Sequence, residues 1–350
     1  MAPSPRLLAL STAVPSFRLQ QEEVTQLAYR LFDRQASDID RMLPVYGNAG
    51  IETRYSCVPL DWYLEPHGWI ERTRLYVEHA VELLARASES CLERIGRRLD
   101  EVDGVVAVST TGLATPSLDA LLIDRLALRR DTQRLPVFGL GCAGGVIGLS
   151  HAAAMARAVP GSLILCLVVE LCALTFRRGD NGKSNIIASA LFGDGAAAAV
   201  LSCAGDGPAI GPAGVHTWPS SLDVMGWRVE EDGLGVLFSR DIPALVRSDL
   251  RGATETFLRR HGLRLADIDR LVCHPGGAKV LDALEEAFAL PSGAMVEARD
   301  VLRDFGNMSA ATVLFVLERV LRQHAVGRCL LSALGPGFTA GFQVLELEAA

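Results

Sequence analysis

The sequence predicts a layered α/β protein made of two similar halves, and three observations carry that expectation. The first is an internal repeat. Residues 91–106, CLERIGRRLDEVDGVV, align with residues 257–272, FLRRHGLRLADIDRLV, at an offset of 166. Leu92 matches Leu258, Gly96 matches Gly262, Arg98 matches Arg264, Asp103 matches Asp269 and Val106 matches Val272. Each copy reads as the end of an amphipathic helix, a glycine cap, a short polar loop and a buried strand. The second is that the strand candidates are unbroken apolar runs, which implies sheets covered on both faces. The third is size: 350 residues, 49% hydrophobic and 21% charged, suffice for a large core and exclude a disordered or disulfide-stapled chain.

The elements follow in order. Arg6 and the run Leu7-Leu8-Ala9-Leu10 make a poor signal peptide and a fair first strand. A segment at about 20–80, rich in aromatic and charged residues, has no counterpart in the second half. Residues 135–140 form an apolar strand that runs into Gly141-Cys142-Ala143-Gly144 and an Ala-rich helix over 151–159. About 165 residues later, Phe305-Gly306-Asn307-Met308-Ser309 opens a second apolar helix over 310–321. Residues 163–169 and 329–333 read as strands. Phe192-Gly193-Asp194-Gly195 leads into a strand over 196–201, and Gly335-Pro336-Gly337-Phe338 leads toward one over 342–347. Ala204-Gly205-Asp206-Gly207-Pro208 breaks the pattern, so the halves divide at 1–205 and 206–350.

Composition narrows the function. A net charge of -7 and a pI near 5.6 argue against wrapping a nucleic acid, while leaving room for a local basic patch. No stretch reaches the ~18 apolar residues of a membrane span. Residues 137–149 are broken by glycines, and 163–169 are closed by Glu170. Eight cysteines without a CxxC pair or zinc-like spacing predict buried thiols in a reduced, cytoplasmic protein with no metal site.

Three residues carry candidate chemistry. Cys142 sits at a predicted helix start, where unpaired N–H groups favour a thiolate and can hold an oxyanion. His274 follows the strand Leu271-Val272-Cys273 and precedes Pro275-Gly276-Gly277, small residues that open space. Asn307 opens the second-half helix, about where Cys142 stands in the first. An N-cap role accounts for it too, but pseudo-twofold symmetry would bring both helix starts to one centre. His67, His79, His261 and His324 lie among charges and read as solvated. A Cys–His pair suits a hydrolase, a transglutaminase or a condensing enzyme. A further alternative is dinucleotide binding: Gly139-Leu140-Gly141-Cys142-Ala143-Gly144 fits G-x-G-x-x-G, with Glu170 a candidate ribose ligand.

Five motifs together resemble the chalcone/stilbene synthase family, the type III polyketide synthases of the thiolase superfamily. They are Gly141-Cys142-Ala143-Gly144-Gly145, Leu191-Phe192-Gly193-Asp194-Gly195-Ala196, His274-Pro275-Gly276-Gly277, Gly306-Asn307-Met308-Ser309 and Gly335-Pro336-Gly337-Phe338. The resemblance spans nearly the whole chain. It implies a duplicated five-layer αβαβα thiolase-like fold and a homodimer. It implies coenzyme A thioesters, malonyl-CoA and an acyl-CoA, as substrates, with no metal, redox cofactor or carrier protein. Cys142 would carry the acyl group, His274 would pair with its thiolate as an imidazolium, and His274 with Asn307 would hold the malonyl thioester carbonyl as CO2 leaves.

The resemblance also implies a substrate site. Phe192 matches a gatekeeper between CoA tunnel and cavity, and residues 335–338 match the loop that shapes cyclisation. Thr110, Thr111, Thr175 and Ser309 are expected along the cavity. Arg54, Gly276, Gly277 and Ala278 are expected against CoA. Departures from the plant pattern inform the starter: Val236 replaces a second gatekeeper Phe, Cys172 replaces a cavity Thr, and Thr115 replaces a Met contributed across the dimer. These changes suit a flexible apolar starter, hence a long-chain fatty acyl-CoA and an alkylpyrone or alkylresorcinol product. Trp227, where Gly is usual, would instead narrow one branch and favour a small product of the phloroglucinol, tetrahydroxynaphthalene or chalcone type. A ketoacyl-ACP synthase III-like enzyme performing one condensation is the nearest rival.

Overall fold

The computed structural model describes residues 4–32 and 39–348. The N-terminal half contains β1 (Arg6–Ala13), β2 (Phe17–Gln20), α1 (Gln21–Leu31), α2 (Ile39–Met42), β3 (Thr53–Ser56), α3 (Trp69–Glu93), β4 (Gly104–Val108), α4 (Leu118–Arg125), β5 (Gln133–Val137), α5 (Gly144–Ala158), β6 (Ile164–Leu171), α6 (Lys183–Leu191) and β7 (Asp194–Ser202). The C-terminal half continues with β8 (Ala209–Thr217), β9 (Met225–Val229), β10 (Leu234–Phe238), α7 (Ile242–Leu245), α8 (Arg251–Arg260), β11 (Arg270–Cys273), α9 (Ala278–Ala287), α10 (Val296–Phe305), α11 (Thr312–Arg322), β12 (Gly327–Gly335) and β13 (Thr339–Leu347).

The repeat found in the sequence is a repeat in space. Gly96 and Gly262 both take left-handed backbone, φ 61° and 72°, just past α3 and α8. Each turn closes with the same bond, Arg97 N–H to Leu92 O and Leu263 N–H to Leu258 O, both 3.0 Å. This is a glycine helix stop, and it needs a residue without Cβ strain. The following loops match as well: Glu101 accepts from the Arg98 amide at 2.7 Å, and Asp267 from the Arg264 amide at 2.8 Å.

Among the described residues nine strands form one sheet, ordered β11-β12-β13-β8-β1-β7-β6-β4-β5. The series β1, β7, β6, β4 pairs antiparallel, antiparallel, parallel. The series β8, β13, β12, β11 repeats that pattern, and the two join where Arg6 meets Ala209. Both faces are buried, as the apolar runs required. Along β6, Ile164, Cys166 and Val168 pack into the central core with α5 and α11, while Leu165, Leu167 and Val169 pack outward with α3. Both halves of this one sheet pack on the paired helices α5 and α11, which gives layers of helix, half-sheet, paired helices, half-sheet and helix, the thiolase-like arrangement.

Three local expectations are corrected. β5 ends at Val137 and is a half-exposed edge strand, with Phe138 beyond it 57% exposed, so this is not a buried strand over 135–140. β5 also has no counterpart among the described residues of the second half, where α10 occupies that stretch of chain. His67 is not simply solvated: its ring stacks on Trp62 at 3.8 Å and its Nδ1 lies 2.8 Å from Glu71. The extra segment of the first half supplies α1, α2 and the antiparallel pair β2–β3. These cover the region where the parallel strands end.

Candidate active site

Chain ends of the parallel strands converge, the usual place for a site in such sheets. β4 hands over to Ser109, Thr110 and Thr111, β6 closes with Glu170 and Leu171, and β11 runs straight into His274. Cys142 lies in the 3-10 turn Gly141–Ala143 that opens α5. The matching turn Ser309–Ala311 opens α11, and Asn307 stands two residues before it. Cys142, His274 and Asn307 line one cavity of about 710 Å³, and they are 8%, 6% and 1% exposed.

Close packing fixes the turn that carries Cys142. Gly141 has φ 47°, and a Cβ there would come 2.5 Å from Pro336 Cδ. Its amide donates to Thr110 Oγ1 at 3.0 Å. Gly335 presses on the same turn, since its Cβ would lie 2.8 Å from that of Ala143. Gly335, Pro336 and Gly337 therefore form a wall directly against the nucleophile turn, and Phe338 is buried behind them against Trp218.

Asn307 is held from both sides. Its Oδ1 accepts the Ser309 amide at 2.8 Å, and its Nδ2 donates to Gly276 O at 3.1 Å. Its main chain bridges to the segment around Phe192: Asn307 N–H donates to Leu191 O at 2.8 Å, and Gly193 N–H to Asn307 O at 3.0 Å. The expected equivalence of Asn307 with Cys142 is corrected by three residues. Gly141 corresponds to Ser309, and Cys142 to Ala310.

Burial governs the charges. It pushes the Cys142 thiol up to about 12, assisted by the nearby Glu170 carboxylate and opposed by the Ser309 hydroxyl 3.5 Å from Sγ. It pushes His274 down to about 3, and neither ring nitrogen has a protein partner among the described residues. A thiolate alone or an imidazolium alone is unfavourable in so dry a place. Burial therefore disfavours each charged form taken singly, and the imidazolium–thiolate pair that the helix start and the resemblance predict forms by transfer of the thiol proton to the ring.

Glu170 is the carboxylate that the sequence reading left outside the site. It is fully buried. Oε2 accepts from the amides of Thr110 and Thr111, both at 3.0 Å, and from Thr111 Oγ1 at 2.7 Å, while Oε1 has no partner. Burial raises it to about 7 against these bonds. This burial corrects the dinucleotide alternative, because Glu170 is sealed from solvent and no ribose can reach its carboxylate. Gly141 and Gly144 are likewise packed against Pro336, Val108 and Ala310 rather than open to a phosphate.

A second, narrower cavity of about 60 Å³ adjoins the first. Phe192, Cys172 and Val236 stand at its inner end, Thr175 on its wall, and Leu27, Ala28 and Leu31 of α1 at its outer end. Phe192 packs against Phe238 at 5.7 Å and Trp227 at 5.9 Å, so this aromatic group divides the two spaces. Thr111 faces a separate small polar pocket with Thr175. Thr115 is exposed on this single chain and reaches neither cavity.

Gly276, Gly277 and Ala278 line the large cavity. Arg54 does not. It is 3% exposed, and its guanidinium is enclosed by main-chain carbonyls, which leaves it no CoA phosphate to meet. The cations on the large cavity are instead Arg41, Lys183, Arg240 and Lys279, all on its exposed rim. A signal for two of them was present in the sequence: of 34 basic residues, Lys183 and Lys279 are the two lysines. Among the described residues no cluster of His, Cys, Asp and Glu could hold a metal ion.

Comparison with known proteins gives consistent matches over the full length. The N-terminal domain of chalcone and stilbene synthases matches residues 3–206, and the C-terminal domain of the same proteins matches residues 213–346. A putative chalcone synthase of Bacillus subtilis (strain 168) is 38% identical, covering 98% of each chain. A 1,3,6,8-tetrahydroxynaphthalene synthase of Streptomyces peucetius subsp. caesius is 36% identical over 97% of this chain and 92% of its own. The crystal structure of the 1,3,6,8-tetrahydroxynaphthalene synthase of Streptomyces coelicolor A3(2), a bacterial type III polyketide synthase, superposes with a TM-score of 0.92. It is 29% identical, over 99% of this chain and all of its own.

Proposed function

This chain belongs to the chalcone and stilbene synthase family and is a type III polyketide synthase, an acyltransferase that performs decarboxylating Claisen condensations; we propose that it extends a long-chain fatty acyl-CoA with malonyl-CoA and cyclises the product to an alkylpyrone or alkylresorcinol. The observation that carries the reading is the meeting of Cys142, His274 and Asn307 in one buried cavity with an apolar slot beside it. Coenzyme A thioesters are its substrates, and no redox cofactor or metal enters the reaction.

Each side chain has a role in this reading. Cys142 gives its proton to His274 and attacks the starter thioester, releasing CoA and leaving an acyl-Cys. The malonyl thioester oxygen then lies against the free His274 nitrogen and Asn307 Nδ2. Loss of CO2 places enolate charge on that oxygen, and fixed donors in a dry cavity lower the barrier. The enolate carbon attacks the acyl-Cys carbonyl, which frees the Cys142 sulfur and yields a β-ketoacyl-CoA for the next round. Loss of one such donor typically costs ~10²–10³ in rate. Cys142→Ala should abolish acyl-enzyme by intact mass. His274→Gln and Asn307→Asp should suppress CO2 release from malonyl-CoA, and unchanged release would remove their assignment.

The slot beyond Phe192 supports the long-chain starter, because Cys172 and Val236 make its lining beside Phe192 apolar. A small-product reading has two observations behind it: the Trp227 ring against Phe192, and the 36% identity to a tetrahydroxynaphthalene synthase. Incubation with malonyl-CoA and a starter series from acetyl-CoA to palmitoyl-CoA decides between them. Product masses that grow with the starter support the alkyl product. One mass independent of the starter supports the small one.

We also propose a homodimer and a cytoplasmic location. Edge strand β5, with Phe138 57% and Leu113 46% exposed near it, is the face a second copy would cover. Phe138→Asp should then halve the mass seen by sedimentation, and a monomeric wild type would refute the dimer. No helix among the described residues is long and apolar enough to cross a membrane.

A further inference from the structure

Arg54 occupies an unusual place for a cation. Desolvation pulls its pKa down to about 10, so it is still charged at neutral pH. Yet the groups that bind it directly are neutral. Nη1 donates to Ser189 O and Phe192 O, both at 2.8 Å, and Nη2 donates to Ala190 O at 2.5 Å and to the Gln21 side-chain oxygen. All four Nη hydrogens are spent on these acceptors. Three of them are carbonyls at the C-terminal turn of α6, where unpaired C=O groups gather partial negative charge. A planar fork can meet several carbonyls at once, and a lysine ammonium cannot reproduce that geometry.

What Arg54 holds is the segment that forms the site. Phe192, at the junction of the two cavities, is the residue after α6. The same segment bridges to Asn307 through Leu191 O and the Gly193 amide. Arg54 itself runs between the two stretches: a Cβ on Gly193 would come 3.4 Å from Arg54 Cβ, and one on Gly306 would come 3.5 Å. Neighbouring bonds tie β3 to the end of α10, from Thr53 Oγ1 to Asp304 O at 2.7 Å and from the Glu52 amide to Arg303 O at 2.8 Å. Gln21 completes the frame, donating to Tyr46 O and Ala190 O at 3.1 Å each.

We infer that Arg54 is a positioning residue of the condensing site, fixing the end of α6 so that Phe192 and Asn307 keep their mutual register. The inference rests on the proposed roles of those two residues. Its consequence is selective. Decarboxylation, which needs Asn307, and starter choice, which needs Phe192, should both change when the guanidinium is removed. Capture of a short starter by Cys142 should not, since Cys142 and His274 are anchored on other elements.

The test compares wild type with Arg54→Met, Arg54→Lys, Gln21→Met and Asn307→Ala. CO2 release from malonyl-CoA, Cys142 acylation by acetyl-CoA and lauroyl-CoA, and thermal melts are read on each. Arg54→Met should lower kcat for CO2 release by about 10- to 10²-fold with KM within about threefold, as expected for a displaced group rather than a lost substrate contact. Its ratio of lauroyl to acetyl acylation should shift, Arg54→Lys should recover part of the loss, and Gln21→Met should fall between. A lower Tm with unchanged kcat and starter ratio overturns the inference. So does a raised KM with intact kcat, the mark of a phosphate contact. If Arg54→Met does not fold, Gln21→Met decides by the same readouts. Wild type without CO2 release defeats the functional reading itself, whereas a loss in Asn307→Ala with none in the Arg54 and Gln21 variants defeats this inference alone.

Discussion

Gly141 and Ser309 hold the same left-handed backbone, φ 47° and 46°, each as the first residue of the 3-10 turn that opens a central helix. The two turns face each other across the pseudo-twofold, and the Ser309 hydroxyl lies 3.5 Å from Cys142 Sγ. Duplication has thus placed a glycine on the nucleophile side and a serine opposite. Pro336 leaves no room for a Cβ on Gly141. Gly141→Ala combines left-handed strain with overpacking, which together cost on the order of 2–4 kcal/mol. Denaturant unfolding should show that loss. Ser309→Gly, which relaxes the backbone, should stay within about 1 kcal/mol of wild type. Equal stability of Gly141→Ala and wild type would contradict the packing described.

Glu170 makes stability depend on pH with a defined sign. Its folded pKa is raised from 4.5 to about 7. Between these values the folded state keeps a proton that the unfolded state has released, so stability falls as pH rises through the window. Below 4.5 both states are protonated and the effect vanishes. A shift of that size corresponds to about 3 kcal/mol. Glu170→Gln does not titrate, so wild type should lose about that much relative to the variant between pH 4.5 and pH 8. His274 works the other way: its depressed pKa makes stability rise with pH up to the ordinary histidine value. Glu170→Gln leaves that contribution in place, so the difference between the two proteins isolates the carboxylate. A difference that does not vary with pH would show that Glu170 is ionised in the folded protein.

Lys183 opens α6 and Lys279 lies in the first turn of α9, and both side chains stand on the rim of the large cavity. Every other basic residue of the chain is arginine. Helix starts already favour anions, and an ammonium adds a mobile point charge suited to phosphate. Lys183→Met and Lys279→Met should each raise KM for malonyl-CoA about fivefold at low salt, and less at high ionic strength. Neither should change kcat. A fall in kcat at constant KM would place these lysines in the chemistry instead of at the phosphates.

Much of this arrangement was legible in the sequence because its signals are local. Gly96 and Gly262 announce helix stops by themselves, and the chain around each repeats the same order of helix end, polar loop and strand. Cys142, His274 and Asn307 sit at helix starts or a strand end, where sequence alone says that a side chain faces a cavity. What was misread depends on contacts far along the chain. Arg54 shows only that a cation follows Thr53, and its enclosure comes from residues 21 and 189–192. Glu170 reads as the polar end of a strand until Thr110 and Thr111 fold over it. The repeat offset, measured on the outer helices, drifts by the time it reaches the central ones, so Asn307 was matched with Cys142 in place of Ala310.

The slot under α1 gives the clearest test of the starter. Ala28 is buried on its outer wall and Val236 stands at its inner end. A large ring at either point removes the space an alkyl tail would need, but at different distances from Cys142. Val236→Phe adds a ring beside Phe192 and Cys172 and should exclude all but short starters. Ala28→Trp lies farther out and should spare medium chains while excluding the longest. A misplaced indole in a packed wall costs roughly 1–3 kcal/mol, so a melting curve must accompany the assay. Product masses from the acyl-CoA series should therefore show two different cut-offs, the shorter for Val236→Phe. Identical chain-length profiles in both variants and wild type would mean that the tail runs elsewhere. A common cut-off in the two would mean that Phe192 closes the slot to substrate, leaving the large cavity to hold the whole chain.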